Sequence, residues 1–156
     1  MSVHRRYDHS YPSLLTTTCA DRQPLFRRAE AARLFIENLY AVRTETTYKL
    51  LAFVVMPDHV HLVVVPSAGH ALGQVVQLIK GRFARVYNSQ VGSSGSLWQS
   101  RYHESALLSE QALVWAVEYV HENPVAGGLV ASAEEYPWSS ARAEFETDLE
   151  SYLMSG

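Results

Sequence analysis

Cysteine is all but missing from this chain: Cys19 is the only one among 156 residues. That excludes a disulfide framework and a structural zinc site, which would draw on several Cys and His ligands. No apolar run is long enough to span a membrane. Met1 is followed by His4, Arg5 and Arg6 but by no apolar stretch of the kind that directs secretion. The expectation is a cytoplasmic protein with no membrane partner. A glycine-rich phosphate loop is absent as well, which removes nucleotide-driven chemistry of the P-loop type. Basic residues are not in excess, since the formal net charge is −3, and that speaks against a uniformly basic nucleic-acid binder. Internal repeats and low-complexity segments are likewise missing.

What is present is one domain of ordinary size, with 47% hydrophobic residues to build a core. The charge is unevenly spread. Residues 1–103 hold 12 Lys/Arg against 6 Asp/Glu, whereas residues 104–156 hold a single basic residue, Arg142, against 10 acidic ones. We expect a single domain over residues 1–142, basic on one side, and an acidic, solvated C-terminal tail over residues 143–156.

Periodicity orders the elements. A Thr-rich stretch from Tyr11 to Cys19 reads as a strand. Ala32, Phe35, Ile36, Leu39 and Val42 recur at helical spacing. Tyr48–Met56 is a second strand, and the tight link Pro57-Asp58 pairs it as a hairpin with a strand opening at His59. Leu72, Val75, Val76, Ile79, Phe83 and Val86 mark a second helix. A strand over Leu97–Leu108 follows the Gly92–Ser96 loop. Ser109 then caps a third helix that should end near Asn123, because Pro124 discourages continuation. The order β-α-β-β-α-β-α predicts an α+β, ferredoxin-like (split β-α-β) fold: a four-stranded antiparallel sheet with an added C-terminal helix.

Chemistry concentrates in two places. In Phe53–Val65, His59 and His61 are two apart on a strand, so they project from the same face, with Val60, Leu62 and Val64 on the other. Two imidazoles side by side in an apolar run suit an open divalent site completed by oxygen ligands better than a closed structural one. In the third helix, Tyr119 and Asn123 are four apart and lie one above the other, while His121 points away from Tyr119.

Met56-Pro-Asp-His-Val-His-Leu, Leu97-Trp-Gln-Ser-Arg-Tyr-His, Tyr119-Val-His-Glu-Asn-Pro-Val-Ala-Gly-Gly-Leu129 and Glu135-Tyr-Pro-Trp-Ser-Ser140 together resemble the REP-associated tyrosine transposases. These are single-tyrosine transposases of the HUH type, and the four blocks run through nearly the whole chain in order. The resemblance implies an endonuclease and strand transferase for DNA transposition and recombination, acting on single-stranded, hairpin-forming REP DNA. It implies that His59, His61 and Asn123 hold Mg2+ or Mn2+ and that Tyr119 is the nucleophile, on the added helix. The chain departs from the family in lacking basic residues at Ala126-Gly127-Gly128 and in carrying Asp58 before the first histidine, a possible outer-shell carboxylate.

For backbone contacts to DNA the candidates are Arg5, Arg6, Lys80, Arg82, Arg85 and Arg101, with Tyr102 and Trp98 as base-stacking rings. His103, Glu104, water and metal-bound hydroxide all stay open as acceptors of the tyrosine proton. A monomer and a homodimer that exchanges the tyrosine helix are both compatible with the sequence. Two other functions compete: a binding module for repeat DNA or RNA that does not cleave, and a metal-dependent phosphodiester hydrolase in which water replaces the tyrosine.

Overall fold

A computed structural model describes residues 11–155. Its strands are β1 (Ser13–Cys19), β2 (Lys49–Val55), β3 (His59–Val65) and β4 (Trp98–Ala106). The helices are α1 (Ala29–Thr46), α2 (Leu72–Val91), α3 (Glu110–Ala126) and a short α4 (Leu149–Met154). The strands form one antiparallel sheet in the order β2-β3-β1-β4. This is the expected α+β, split β-α-β arrangement, with short 3-10 turns added.

Alternation along the strands divides the core in two. On one face Leu15, Phe53, Val60, Leu62 and Val64 pack with α1 and α2. Phe26, Phe35, Phe83 and Trp98 interlock there, with ring centroids 5.4–5.9 Å apart. On the other face Val54, Val63 and Val65 pack with Leu113, Ala116, Val117 and Val120 of α3. The β2–β3 hairpin closes through Met56 N–H donating to the His59 carbonyl at 2.8 Å. His59 therefore stands at the mouth of a rigid turn.

Two expectations need correction. α3 does not stop at Asn123 but continues to Ala126 with Pro124 inside it. The proline falls in the last turn, so its missing N–H costs one hydrogen bond. The end is then closed by Gly127 N–H to the Asn123 carbonyl and by Leu129 N–H to the Pro124 carbonyl, both 2.9 Å. Nor does the acidic segment after Arg142 hang in solvent. The Asp148 carboxylate accepts from Arg43 Nε (2.9 Å) and Nη2 (2.7 Å) and from Leu50 N–H (2.9 Å). Phe145 lies 5.3 Å from Phe53, and Tyr152 is buried. Residues 143–155 strap β2 to α1, so their acidity serves an ion pair.

Candidate active site

The site begins on β3. The register sets Thr16 of β1 opposite His61 and Thr18 opposite His59. Residues facing each other across a ladder share a face of the sheet, so the histidines project toward the α3 side. His61 is buried and its Nδ1 is 2.8 Å from the Thr16 hydroxyl. The half-buried His59 places Nδ1 2.7 Å from Asp58 Oδ1. Both rings are thus oriented through the same nitrogen. A carboxylate only accepts, so His59 carries its proton on Nδ1 and offers the Nε2 lone pair. Burial, and then the neighbouring His59, push the pKa of His61 down to about 4. A neutral imidazole is the form that ligates a cation.

α3 supplies the third ring. Its stripe Leu113, Ala116, Val117 and Val120 is buried against the sheet, and this rotation brings Tyr119 to the edge of the interface. The Tyr119 ring lies 5.3 Å from that of His61, at an interplanar angle of 70°. His59 and His61 are themselves 4.8 Å apart. One chain therefore assembles both histidines and the tyrosine. Ser109 fixes the start of the helix, its hydroxyl accepting from Ala112 N–H at 3.0 Å. Asn123 stands one turn beyond Tyr119, half-buried. His121 is elsewhere, bonded through Nε2 to Ser140 Oγ at 2.8 Å.

The donor set fits a divalent cation. Two imidazoles are oriented through Nδ1 by a hydroxyl and a carboxylate, the arrangement by which outer-shell partners prepare ligands. Among the described residues no third His, Cys, Asp or Glu joins them. A cation held there would take its further ligands from oxygen atoms, a set unlike that of structural zinc.

The DNA-contact candidates do not form one surface. Arg5 and Arg6 lie outside the described residues. His103 belongs to the histidine face, because it pairs with Thr16 across the β1–β4 ladder, whereas Arg101 is exposed in the stretch between Tyr102 and Trp98 where that register shifts. Their strand is exposed there, beside the part of the sheet that α3 covers. Tyr102 and Glu104 point to the opposite face. Lys80 Nζ sits 5.6 Å from the centroids of both Tyr102 and Trp98. Arg82 is paired with Glu45 at 2.6 Å, and Arg85 is exposed on the same helix. Trp98 is buried, its Nε1–H donating to the Lys80 carbonyl at 3.2 Å, so it anchors the core and does not stack bases.

Two residues beside the site escaped the sequence. Thr16 lies 45 positions from His61, and only strand register joins them. Trp115 stacks on Tyr119 with centroids 5.3 Å apart and planes 17° apart. That contact was signalled, since the residues are four apart on one helix.

Comparison with known proteins bears on this geometry. The profile of the family described as "Transposase IS200 like" matches residues 7–123. A Haemophilus influenzae protein assigned by name to the REP-associated tyrosine transposases is 23% identical over 112 residues, 65% of this chain and 64% of that protein's length. Among solved structures, a REP-associated tyrosine transposase bound to a REP hairpin is similar with a TM-score of 0.72 and 23% identity, covering 94% of this chain and 89% of the other. A Deinococcus radiodurans crystal structure assigned to the transposases gives 0.55 and 26%, covering 76% and 94%.

Proposed function

Because the chain belongs to the IS200-like transposase family, we propose that it is a metal-dependent nickase and strand transferase for single-stranded, hairpin-forming repeat DNA. Residues 1–142 are its catalytic unit, residues 143–156 its acidic C-terminal tail, and the cytoplasm its place of action. The observation that carries this reading is the Tyr119 ring packed 5.3 Å from His61 in a single chain.

Each residue has a task. His59 and His61, with Asn123, would hold a divalent ion, which when bound would neutralise the scissile phosphate and stabilise the charge that develops in the transition state. Thr16 and Asp58 keep both rings turned toward it. Tyr119 Oη, its proton lost to solvent or to a base on the same face, attacks phosphorus. The P–Oη bond forms as the bond to the 3′ oxygen breaks, leaving a 5′-phosphotyrosine and a 3′-hydroxyl. Attack by a 3′-hydroxyl reverses the sequence and expels the phenolate. A phenolate leaves far more readily than an alkoxide, so rejoining needs no nucleotide. Arg101, exposed on the edge strand two residues from His103, is the best placed of the cationic candidates to follow the DNA backbone; Lys80, Arg82 and Arg85 serve strands that pass around β4 to the α2 side.

The H. influenzae relative and the hairpin-bound structure support a REP-type hairpin as substrate. Incubation of the protein with Mg2+ or Mn2+ and single-stranded hairpins from its host's repeats should give cleavage with a covalent protein–DNA adduct, abolished by chelation. Binding without cleavage in any metal points to a binding module. Cleavage without adduct, retained in Tyr119→Phe, points to a hydrolase.

A further inference from the structure

α3 carries a second aromatic residue that the chemistry above does not use. Trp115 is 57% exposed although it is the largest side chain on its helix, and its neighbour Tyr119 is 40% exposed. Val114, beside Trp115 in sequence, is exposed as well, so the feature is a cluster of exposed apolar side chains on one helix and not a lone surface ring. The rings of His59, His61, Tyr119 and Trp115 form a continuous series with centroid spacings of 4.8, 5.3 and 5.3 Å. The series runs from the histidine pair out to solvent. The last two rings are within 17° of parallel and stacked, so Trp115 continues the stack from the tyrosine outward.

We propose that Trp115 is a base-stacking platform for the nucleotide beside the scissile phosphate, seating the single strand against Tyr119. The inference rests on the reading of Tyr119 as the residue next to the phosphate. A nucleobase is the occupant that the surroundings favour. Unpaired bases stack on exposed aromatic faces without regard to sequence, and this face is held in register with the site by a rigid helix. The sequence-derived stacking candidates do not take that place. Trp98 is buried, and Tyr102 lies on the other face of the sheet under Lys80. Trp115 also gives the α3 side a means of holding DNA that does not depend on positive charge, and α3 itself carries no Lys or Arg.

The test measures binding apart from cleavage. In a Tyr119→Phe background without divalent metal, the affinities of Trp115→Leu, Trp115→Phe and the parent are compared for an oligothymidylate and for an abasic strand of the same length. We expect Trp115→Leu to bind oligothymidylate about tenfold more weakly, Trp115→Phe to recover most of that loss, and all three to bind the abasic strand alike. Tryptophan fluorescence quenched by oligothymidylate in the parent should be unquenched in Trp115→Leu. Equal affinity of Trp115→Leu and the parent for oligothymidylate overturns the proposal, as does an equal loss on the abasic strand. So does a change in the sedimentation of free Trp115→Leu that accounts for its weaker binding, which would assign Trp115 to a contact between copies. Failure of the native protein to form an adduct would refute the transferase reading yet leave these binding results independently readable.

Discussion

His61 shows how one side chain ties stability to function. Its neutral form is imposed by burial and by His59, which lower its pKa from the ordinary imidazole value to about 4. With the folded value below the unfolded one, this contribution to stability is complete above the unfolded pKa and is lost as pH falls toward 4. Denaturant unfolding at a series of pH values should therefore show a shallower loss of stability in His61→Gln than in the parent across that window. A steeper loss would assign the acid sensitivity elsewhere. Cys19 gives a contrasting case. It is fully buried, and burial followed by the charge of Asp58 raises its thiol to about 12. Iodoacetamide should leave it unmodified in the native protein and label it in urea. At this scale the sequence discloses the residues whose pattern is local: the histidines two apart on a strand, and Tyr119 and Asn123 four apart on a helix. Thr16 was illegible because its contact with His61 depends on a strand pairing that no local spacing encodes.

At the scale of the element, α3 joins core to chemistry. One stripe is buried against β2 and β3, and the adjoining edge carries Trp115, Tyr119 and Asn123. Its Ser109 cap satisfies an otherwise unpaired N–H, so Ser109→Ala should cost about 1 kcal/mol in denaturant unfolding. The helix outruns the end that Pro124 suggested, because a proline in the last turn removes one hydrogen bond while three later residues complete the turn. The strap after Arg142 teaches a similar lesson. Its composition reads as a solvated tail, yet Asp148 turns the acidity inward. Partial burial tends to raise the pKa of that carboxyl, but the hydrogen bonds from Arg43 and Leu50 outweigh it and hold the value below the ordinary one. Its stabilising contribution is thus present at neutral pH and is lost as pH falls through the lowered folded value. Asp148→Asn should destabilise by about 1–2 kcal/mol at neutral pH, with a smaller difference in strong acid. Equal stabilities at neutral pH would make the strap incidental.

For the whole molecule, the decisive property is that a single chain brings α3 over the histidine strand. Hydrophobic alternation made the two-faced sheet legible, and the apolar stripes made the helices legible. What they left open was which parts of β4 and α2 share the active face. The strand register answers that, placing His103 with the histidines and Tyr102 with Lys80 behind them. Since Tyr119 meets His61 of its own chain, mixing a His61→Gln protein with a Tyr119→Phe protein should yield no covalent adduct above the sum of the two alone. Restored adduct in the mixture would show that the tyrosine helix is exchanged between subunits. The most direct measurement is to digest the protein after reaction with a host repeat hairpin and divalent metal and to locate the attached DNA by peptide mass spectrometry. The account predicts a 5′-phosphate on Tyr119, absent from Tyr119→Phe. Attachment at another residue such as Tyr102, or cleaved DNA with Tyr119 unmodified, would contradict it.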